Sequence, residues 1–466
     1  MKKYRISNKE LHRIGYKSEV SISLVKRIIS KYYQNQPKNH VLALLEDILQ
    51  NQEKYQKNSH FSALIDTLKH TSEFIKPKTE ISSIPIPYKI YGKDQIDEGS
   101  LIQMNRAMQL PITIKGALMA DAHQGYGLPI GGVVATNNAV IPYGVGMDIG
   151  CRMCLSVYNI PVSLIDKDAP RLEKILLEET RFGNDEFNVP DEHPVMERKE
   201  FKEIKFLRNL QSKAHQQLGT SGHGNHFVDI GELEIFDSKN EWNKPAGKYL
   251  AILSHSGSRN MGAEIARHYT RVAKDMCNLP KGFIELSWLY VDSEEGQEYW
   301  SAMNLAGDYS AANHEIIHKR LSEALSVKPM FVVQNHHNFA WKEKLDDGTT
   351  AIIHRKGATP ANKGVLGIIP GSMASPAFVV RGKGNPDSLN SAAHGAGRLQ
   401  SRKAAKASVS KKEMDEYLLK NKVKLIGGNT DEAPWVYKDI IRIMDEQKEL
   451  VEILAAFNPR IVRMAK

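Results

Sequence analysis

The first 75 residues carry apolar side chains at the three- and four-residue spacing of amphipathic helices. One apolar face is formed by Ile22, Val25, Ile28, Ile29 and Tyr32. Ser7 and Glu10 have the spacing of a capping box, and the helical pattern continues at residues 40–50 and 61–70. The alternate prolines of residues 84–88, IPIPY, favour extended backbone and end this pattern. We therefore predict a helical N-terminal region over residues 1–93 and a second domain over residues 94–466.

Beyond residue 93 the chain alternates between short apolar runs and longer helical stretches. The apolar runs are rich in strand-forming residues and end in polar or glycine-bearing turns, and they predict strands at residues 249–254, 330–334, 351–354 and 377–382. Helices are predicted at residues 171–180, 201–218, 263–276, 309–325, 411–419 and 437–456. The pattern predicts an α+β fold.

Composition limits the class of protein. Of the 466 residues 41% are hydrophobic, but no apolar run is long enough to cross a membrane and the N-terminus lacks the pattern of a signal peptide. The three cysteines, Cys151, Cys154 and Cys277, are an odd number, which argues against a disulfide framework. These features predict a soluble cytoplasmic protein with no membrane partner.

Charge is concentrated at the N-terminus. Residues 1–90 hold 16 Lys and Arg against 8 Asp and Glu, whereas the whole chain has a net charge of +9. A basic N-terminal region in a chain whose remainder is nearly neutral predicts contact with a polyanion. A solvated basic helical face explains the same charge without any partner.

Side chains suited to metal binding cluster after residue 120. Residues 121–154 are rich in glycine, which predicts loops and short strands around a ligand, and Asp148 and Cys151 lie near the end of this segment. Several histidines stand beside Gly, Asn or Ser and not on apolar helix faces: His223, His226, His255, His336, His337, His354 and His394. Oxygen, sulfur and nitrogen donors together suit zinc, iron(II) or manganese. Since a thiolate can bridge two cations, Cys151 could serve a metal pair of the kind used in phosphoryl transfer.

Three further motifs combine small residues with basic ones: PGSM at 370–373, HRKG at 354–357 and HGAGR at 394–398. Backbone N–H groups together with Arg355, Lys356 and Arg398 predict binding of phosphate groups. Neither glycine element matches a P-loop or a dinucleotide fingerprint. Metal ligands beside anion-binding motifs indicate nucleotide or nucleic-acid chemistry.

Two other motifs have competing interpretations. His314-Glu315-Ile316-Ile317-His318 is an HExxH, the zinc motif of metallopeptidases, but the basic residues that follow it are more typical of an ordinary amphipathic helix. Cys151 and Cys154 form a CxxC, which in other proteins is a redox pair or half of a zinc knuckle. No second CxxC follows in this sequence.

Nine motifs in order over residues 94–466 carry a resemblance to a known family: DAHQGYGLPIGG, GVGMDIGC, GNHF, HSGSR, HHN, HRKGAT, PGSM, HGAGR and DEAP. This part of the chain resembles the RtcB family of GTP-dependent RNA ligases. The resemblance implies an α+β catalytic body with central β-sheets flanked by helices, two manganese ions and GTP. It also implies that RNA ending in a 3′-phosphate or 2′,3′-cyclic phosphate is joined to RNA with a 5′-hydroxyl, through a guanylylated histidine and an RNA-(3′)pp(5′)G intermediate. Broken or spliced tRNA or rRNA would be the partner, while any protein partner stays unknown.

The resemblance also implies roles for individual residues. The metal ligands would be Asp148, Cys151, His226, His255 and His337, with Cys151 bridging. His394 would be the guanylylated nucleophile. The GTP-binding residues would be Asn225, Asp229, Asn338, Pro370, Gly371, Ser372, Met373, Gly395, Ala396, Gly397, Tyr437 and Lys466. Arg355, Lys356 and Arg398 would bind phosphate or RNA.

Departures from the family pattern leave alternatives open. Asp229 stands where the family more often has Glu, and Ala377 where a serine is common, so strict guanine selection is in question. The resemblance and these departures suggest a divergent branch acting in tRNA splicing or RNA repair. A metal-dependent RNA end-capping or RNA-binding protein without sealing activity is the first alternative, and an HExxH metallopeptidase is a remote one.

If the basic N-terminal region contacts RNA phosphates, removing residues 1–90 should flatten the salt dependence of RNA binding. Fewer counterions would be released when the truncated protein binds. The measurement is the slope of log Kd against log salt concentration, by fluorescence anisotropy. Equal slopes for the truncated and full-length chains would assign this region a purely structural role.

Overall fold

The computed structural model describes residues 6–16, 18–73 and 79–466. Contacts between Cα atoms divide the chain into two compact units, Met1–Lys78 and Thr79–Lys466. The predicted domain boundary near residue 93 stays a prediction; in the structure, residues 89–90 pair with a strand of the second unit. Within the described ranges, no helix combines the length and the apolar character needed to cross a bilayer.

The first unit is helical. Its helices are α1 (Asn8–Ile14), α2 (Glu19–Ile28), α3 (Lys38–Gln50), α4 (Gln52–Tyr55) and α5 (Ser62–Glu73), with a π-helical turn at Ile29–Tyr33. The predicted capping box is confirmed, since Ser7 and Glu10 each bond the other's backbone N–H. Four residues of the predicted apolar face are buried, but Tyr32 is 44% exposed and stacks on His60. The wider π-turn rotates Tyr32 away from the face that α-helical spacing defines.

The second unit contains both strands and helices, which confirms the α+β prediction. The strands are β1 (Lys89–Ile90), β2 (Thr113–His123), β3 (Ile130–Thr136), β4 (Ala139–Val140), β5 (Arg152–Tyr158), β6 (Phe227–Ile235), β7 (Gly247–Ser256), β8 (Leu289–Tyr290), β9 (Phe331–His336), β10 (Asn338–Lys344), β11 (Thr350–Lys356), β12 (Ala358–Pro360), β13 (Leu366–Ile369), β14 (Ala377–Gly382), β15 (Ser391–Ala393), β16 (Lys424–Ile426) and β17 (Val451–Met464). The helices are α6 (Glu98–Met108), α7 (Pro142–Val145), α8 (Leu164–Lys167), α9 (Ala169–Glu179), α10 (Glu200–Glu203), α11 (Lys205–Arg208), α12 (Gln211–Gln217), α13 (Arg259–Met276), α14 (Glu294–Leu325), α15 (Arg402–Ser408), α16 (Lys411–Lys420) and α17 (Ile440–Asp445).

Two sheets organise this unit. The smaller has the order β1-β2-β3-β11-β10, and the larger has the order β13-β14-β17-β6-β7-β5-β9 with β16 beside β17. The larger sheet curls so that its ends meet: the Asn335 side chain on β9 accepts a bond from Ile368 N on β13 at 2.9 Å. Its interior is an apolar core that includes Leu155, Leu253 and Phe457. The long helix α14 covers the outside of β5 and β7.

One predicted helix is wrong. Residues 437–456 form only the short α17 before the chain enters β17. β17 lies between β14 and β6, in the middle of the larger sheet. In this part of β17 Glu452 and Ile453 are exposed whereas Val451, Ala455 and Ala456 are buried, so the segment lacks the alternation that predicts a strand.

Arg355, predicted to bind phosphate, is instead part of the core. Its side chain on β11 is fully buried, and its guanidinium donates to Ser391 Oγ at 2.7 Å, Leu389 O at 2.9 Å and the Glu343 carboxylate at 2.6 Å. The guanidinium also lies 4.6 Å from the centre of the Trp341 ring. These contacts hold it away from any phosphate-binding surface.

Arg355→Ala should therefore destabilise the fold, because it leaves Glu343 charged and partly buried without its partner. The expected loss in free energy of unfolding is about 3 kcal/mol. Arg381→Ala is the matched control: Arg381 pairs with Glu241 and Glu452 on the surface, so its loss should be about 1 kcal/mol or less. Urea denaturation measures both, and equal losses would contradict the structural role of Arg355.

Candidate active site

A cavity of about 870 Å³ opens where the two sheets approach each other. The ends of β2, β3 and β11 line it from one side, and the ends of β6, β7 and β14 line it from the other. Side chains at strand ends are held by rigid backbone yet face open space. The cavity is therefore suited to hold several functional groups in fixed positions.

Five predicted metal ligands converge on one wall of this cavity. Cys151 Sγ lies 3.1 Å from His255 Nε2 and 3.4 Å from His226 Nε2. His337 Nε2 lies 3.2 Å from His255 Nε2, and Asp148 Oδ2 lies 2.9 Å from His226 Nε2. The donor atoms form two overlapping triads that share the sulfur of Cys151.

Each ligand comes from a separate turn or strand end. Cys151 immediately precedes β5, its N–H bonds Asp148 O at 3.1 Å, and His255 lies near the end of β7. His226 stands just before β6, and His337 just after β9. Gly257 follows β7, and a Cβ at this position would come within 2.0 Å of Asp148 Oδ1. The glycine of HSGSR is needed here because the Asp148 carboxylate occupies the space of a side chain.

Burial and neighbouring side chains shift the pKa values of these donors. It lowers the pKa of His255 to about 3 and that of His337 well below its usual value, so both imidazoles are neutral at pH 7. Burial, with Asp148 nearby, raises the pKa of the Cys151 thiol well above its usual value. Although burial opposes it, contact with His226 and Cys151 lowers the pKa of Asp148 to about 2.

This donor set fits a divalent cation. His255 Nδ1 lies 3.0 Å from Asn225 O, and since a carbonyl only accepts, Nδ1 carries the proton and Nε2 presents its lone pair to Cys151. A neutral imidazole oriented in this way by a backbone carbonyl is a typical metal ligand. A bound cation would also stabilise the thiolate that burial disfavours.

His394 lies next to the metal-ligand cluster. Its ring centroid is 4.9 Å from that of His337. Its Nδ1 donates to Asp121 Oδ2 at 2.6 Å, and its backbone N–H donates to the same oxygen at 3.1 Å. Asp121 is fully buried on β2. The carboxylate therefore fixes the proton on Nδ1 and leaves the lone pair of His394 Nε2 free.

A second part of the cavity is apolar and contains one carboxyl group. Leu253, Ala377, Phe457 and Val462 line it together with Asp229. Asp229 Oδ1 is buried without a hydrogen-bond partner among the described residues, and burial raises the pKa of this carboxyl well above its usual value. An apolar slot with one unpaired polar group is typical of a site for a flat, hydrogen-bonding ligand.

Most other predicted site residues line the same cavity: Asn225, Asn338, Lys356, Pro370, Gly371, Ser372, Met373, Gly395, Ala396, Gly397, Arg398 and Tyr437. Lys356 donates to the carbonyls of Tyr126 and Tyr143, and burial lowers its pKa to about 7. The Arg398 guanidinium lies 5.1 Å from the centre of the Tyr437 ring.

Other residues from the histidine-rich motifs lie elsewhere. Lys466 and His223 line a second cavity of about 390 Å³, which shares Arg402 and Glu432 with the first. His354 is fully buried and accepts a bond from Ile141 N at 2.9 Å, so it is structural. Arg355 points into the core.

Sequence reasoning missed three residues of this site. Asp121 orients His394, and Lys438 Nζ donates to Ala120 O and Ala122 O on the same strand, at 3.1 and 2.7 Å. Arg402 pairs with Glu432 at the wall common to both cavities. The only signal in the sequence was the position of Asp121 at the start of the glycine-rich segment, which marks a site but not a partner.

The HExxH motif does not form a peptidase centre. His314 and His318 are buried under the larger sheet, whereas the Glu315 side chain is 58% exposed and contacts His193. A general base for peptide hydrolysis would have to lie near the two imidazoles and reach a substrate.

The chain is similar to known proteins over most of its length. The family model described as "tRNA-splicing ligase RtcB" matches residues 103–205 and 180–465. "RNA-splicing ligase RtcB1" of Escherichia coli is 31% identical over 401 residues, covering 79% of this chain and 95% of the relative. "tRNA-splicing ligase RtcB" of Nanoarchaeum equitans is 31% identical, covering 80% and 94%. "RNA-splicing ligase RtcB homolog 2" of Entamoeba dispar is 30% identical, covering 76% and 81%. The chain belongs to the RtcB family.

Proposed function

We propose that the chain is an RNA ligase that uses GTP and manganese to join a 3′-phosphate or 2′,3′-cyclic phosphate end to a 5′-hydroxyl end, in tRNA splicing or RNA repair. Family membership supports the ligase activity and an RNA substrate. One observation supports the mechanism most strongly: the nucleophilic Nε2 of His394, oriented by Asp121, shares a cavity with the sulfur, nitrogen and oxygen donors around Cys151.

His394 is the group that accepts the nucleotide. Its Nε2 attacks the α-phosphate of GTP, a P–N bond forms, and the bond to the departing pyrophosphate breaks. Asp121 holds the Nδ1 proton and stabilises the positive charge that the ring gains during this attack. GMP then passes to the RNA 3′-phosphate, which frees Nε2, and the 5′-hydroxyl displaces GMP as the new phosphodiester forms.

Asp148, Cys151, His226, His255 and His337 are the residues that would hold manganese. Each triad supplies three donor atoms and both include the Cys151 sulfur, so together these residues would hold two ions. When bound, the ions supply positive charge that offsets the charge on phosphate oxygens and help to position the 3′-phosphate. Lys356 and Arg398 line the same cavity, and the Arg398 guanidinium pairs with Glu432 at 3.4 Å.

The apolar slot around Asp229 is the proposed site of the nucleobase. Its unpartnered carboxyl oxygen can accept a hydrogen bond from the ring N–H or amino group of guanine. Ala377 on the same wall offers no hydroxyl, so Asp229 is the side chain that distinguishes bases there. The cytoplasm is the proposed compartment, because all three cysteines are free thiols.

Incubation with labelled GTP and manganese should give an acid-labile protein adduct, which His394→Ala should abolish. Asp121→Asn should slow adduct formation roughly 100-fold or more, because an amide does not fix the imidazole tautomer as a carboxylate does. His215→Ala is the control, since His215 pairs with Glu192 away from the cavity. Wild-type adduct levels in His394→Ala would contradict the assigned nucleophile.

A second stage of the assay adds RNA with a 3′-phosphate and RNA with a 5′-hydroxyl. Sealed RNA is the expected product, in amounts that follow adduct formation across the variants. An adduct without sealing would instead support the end-capping alternative.

Cys151→Ser should weaken manganese binding at least tenfold, because a neutral hydroxyl is a much poorer bridging ligand than a thiolate. Cys277→Ser is the matched control, since Cys277 contacts the backbone of Trp288 and lines neither cavity. Calorimetric titration with manganese measures the affinity of both variants. Unchanged affinity in Cys151→Ser would exclude Cys151 as a ligand.

A further inference from the structure

Three residues that the ligase chemistry leaves unused, from two motifs, meet at one buried point. His314 and His318 of the HExxH lie one turn apart on α14, and Cys154, the second cysteine of the CxxC, lies near them on β5. The ligand atoms of these three residues all lie within 4.8 Å of one another. The three side chains are almost completely shielded from solvent.

The cluster is distinct from the catalytic centre. In the β5–β7 ladder Cys154 pairs with Ser254, while the neighbouring Met153 pairs with His255. Adjacent strand residues point to opposite faces. Ser254 accordingly contacts α14, whereas His255 faces the cavity with Cys151.

Each imidazole has a separate partner on its outer nitrogen. His314 Nε2 lies 3.3 Å from Ser256 O, which only accepts, so this nitrogen carries the proton. His318 Nδ1 lies 2.7 Å from Ser156 Oγ, which can accept a proton from the ring. The inner nitrogens, Nδ1 of His314 and Nε2 of His318, can then both present lone pairs to the same point.

An oxygen donor lies at that point as well. Ser254 Oγ is 2.7 Å from His314 Nδ1 and 2.7 Å from His318 Nε2. A hydroxyl has one proton, so it can donate to only one of these two nitrogens. One sulfur and two nitrogens are donors that zinc prefers, and the Ser254 hydroxyl oxygen lies within reach of the same point.

We propose that Cys154, His314 and His318 bind a structural zinc ion, with Ser254 as the fourth donor within reach, and that the ion fastens β5 and β7 to α14. Binding converts the Cys154 thiol to a thiolate and releases its proton to solvent. Because the thiol must lose its proton to bind the ion, zinc affinity should increase with pH. The ion would stabilise β5 and β7 on the face opposite the cavity, close to Cys151 and His255.

The test uses cobalt(II) as a spectroscopic substitute for zinc in the full-length chain. The sequence has three cysteines, so in Cys151→Ser/Cys277→Ser protein a sulfur-to-cobalt charge-transfer band can arise only from Cys154. We expect this band to saturate at about one cobalt ion per chain. We also expect zinc addition to raise the Tm. Adding His318→Asn should remove most of the band and the Tm increase.

A folded Cys151→Ser/Cys277→Ser protein without the band would overturn the proposal and leave Ser254 as the centre of a hydrogen-bonded network only. As a second measurement on unmodified protein, metal analysis after dialysis against manganese should show zinc retained at about one per chain. Absence of retained zinc would also count against the site. Neither readout involves GTP or RNA, so failure of this proposal and failure of the ligase proposal are distinguishable.

Discussion

The catalytic account depends on the convergence of five donors around the sulfur of Cys151. Burying three imidazoles, a thiol and a carboxylate within hydrogen-bond distance is unfavourable unless a cation compensates for the lost hydration. The larger sheet meets this demand by curling, so that β5, β6, β7 and β9 direct their ends toward one point. The geometry is therefore set by the backbone, and each ligand is replaceable only by a side chain of similar reach.

His394, the proposed nucleophile, lies on the other side of the cavity. Asp121 belongs to β2 of the smaller sheet, and His394 follows β15, which pairs with β12. Gly397 adopts a φ of 71°, and a Cβ there would come within 2.1 Å of Asp121 O. The close approach of HGAGR to β2 thus requires glycine and brings the imidazole onto the carboxylate. The proposed chemistry at a phosphate needs both the donors around Cys151 and the His394–Asp121 pair. The contact between the two sheets, which brings them together, is therefore as important as either group.

Most residues that line the cavity were predicted from the sequence, because the motifs that contain them occur in a recognisable order. Asp121 was not assigned because no local pattern marks a carboxylate whose only task is to orient a histidine. Arg355 was misjudged for a different reason. In HRKG the consecutive Arg355 and Lys356 lie on a strand and point to opposite faces, so only Lys356 reaches the cavity. The helix predicted at 437–456 is wrong for another reason: residues 451–456 form a strand whose buried and exposed residues do not alternate.

The central claim is that two cations bind around Cys151 beside His394. Anomalous scattering at the manganese absorption edge, from crystals grown with manganese and GTP, tests it most directly. The account predicts two peaks that share the Cys151 sulfur, one near His255 and His337 and the other near Asp148 and His226. Peaks elsewhere in the protein, or a Cys151 sulfur that contacts no metal, would contradict it.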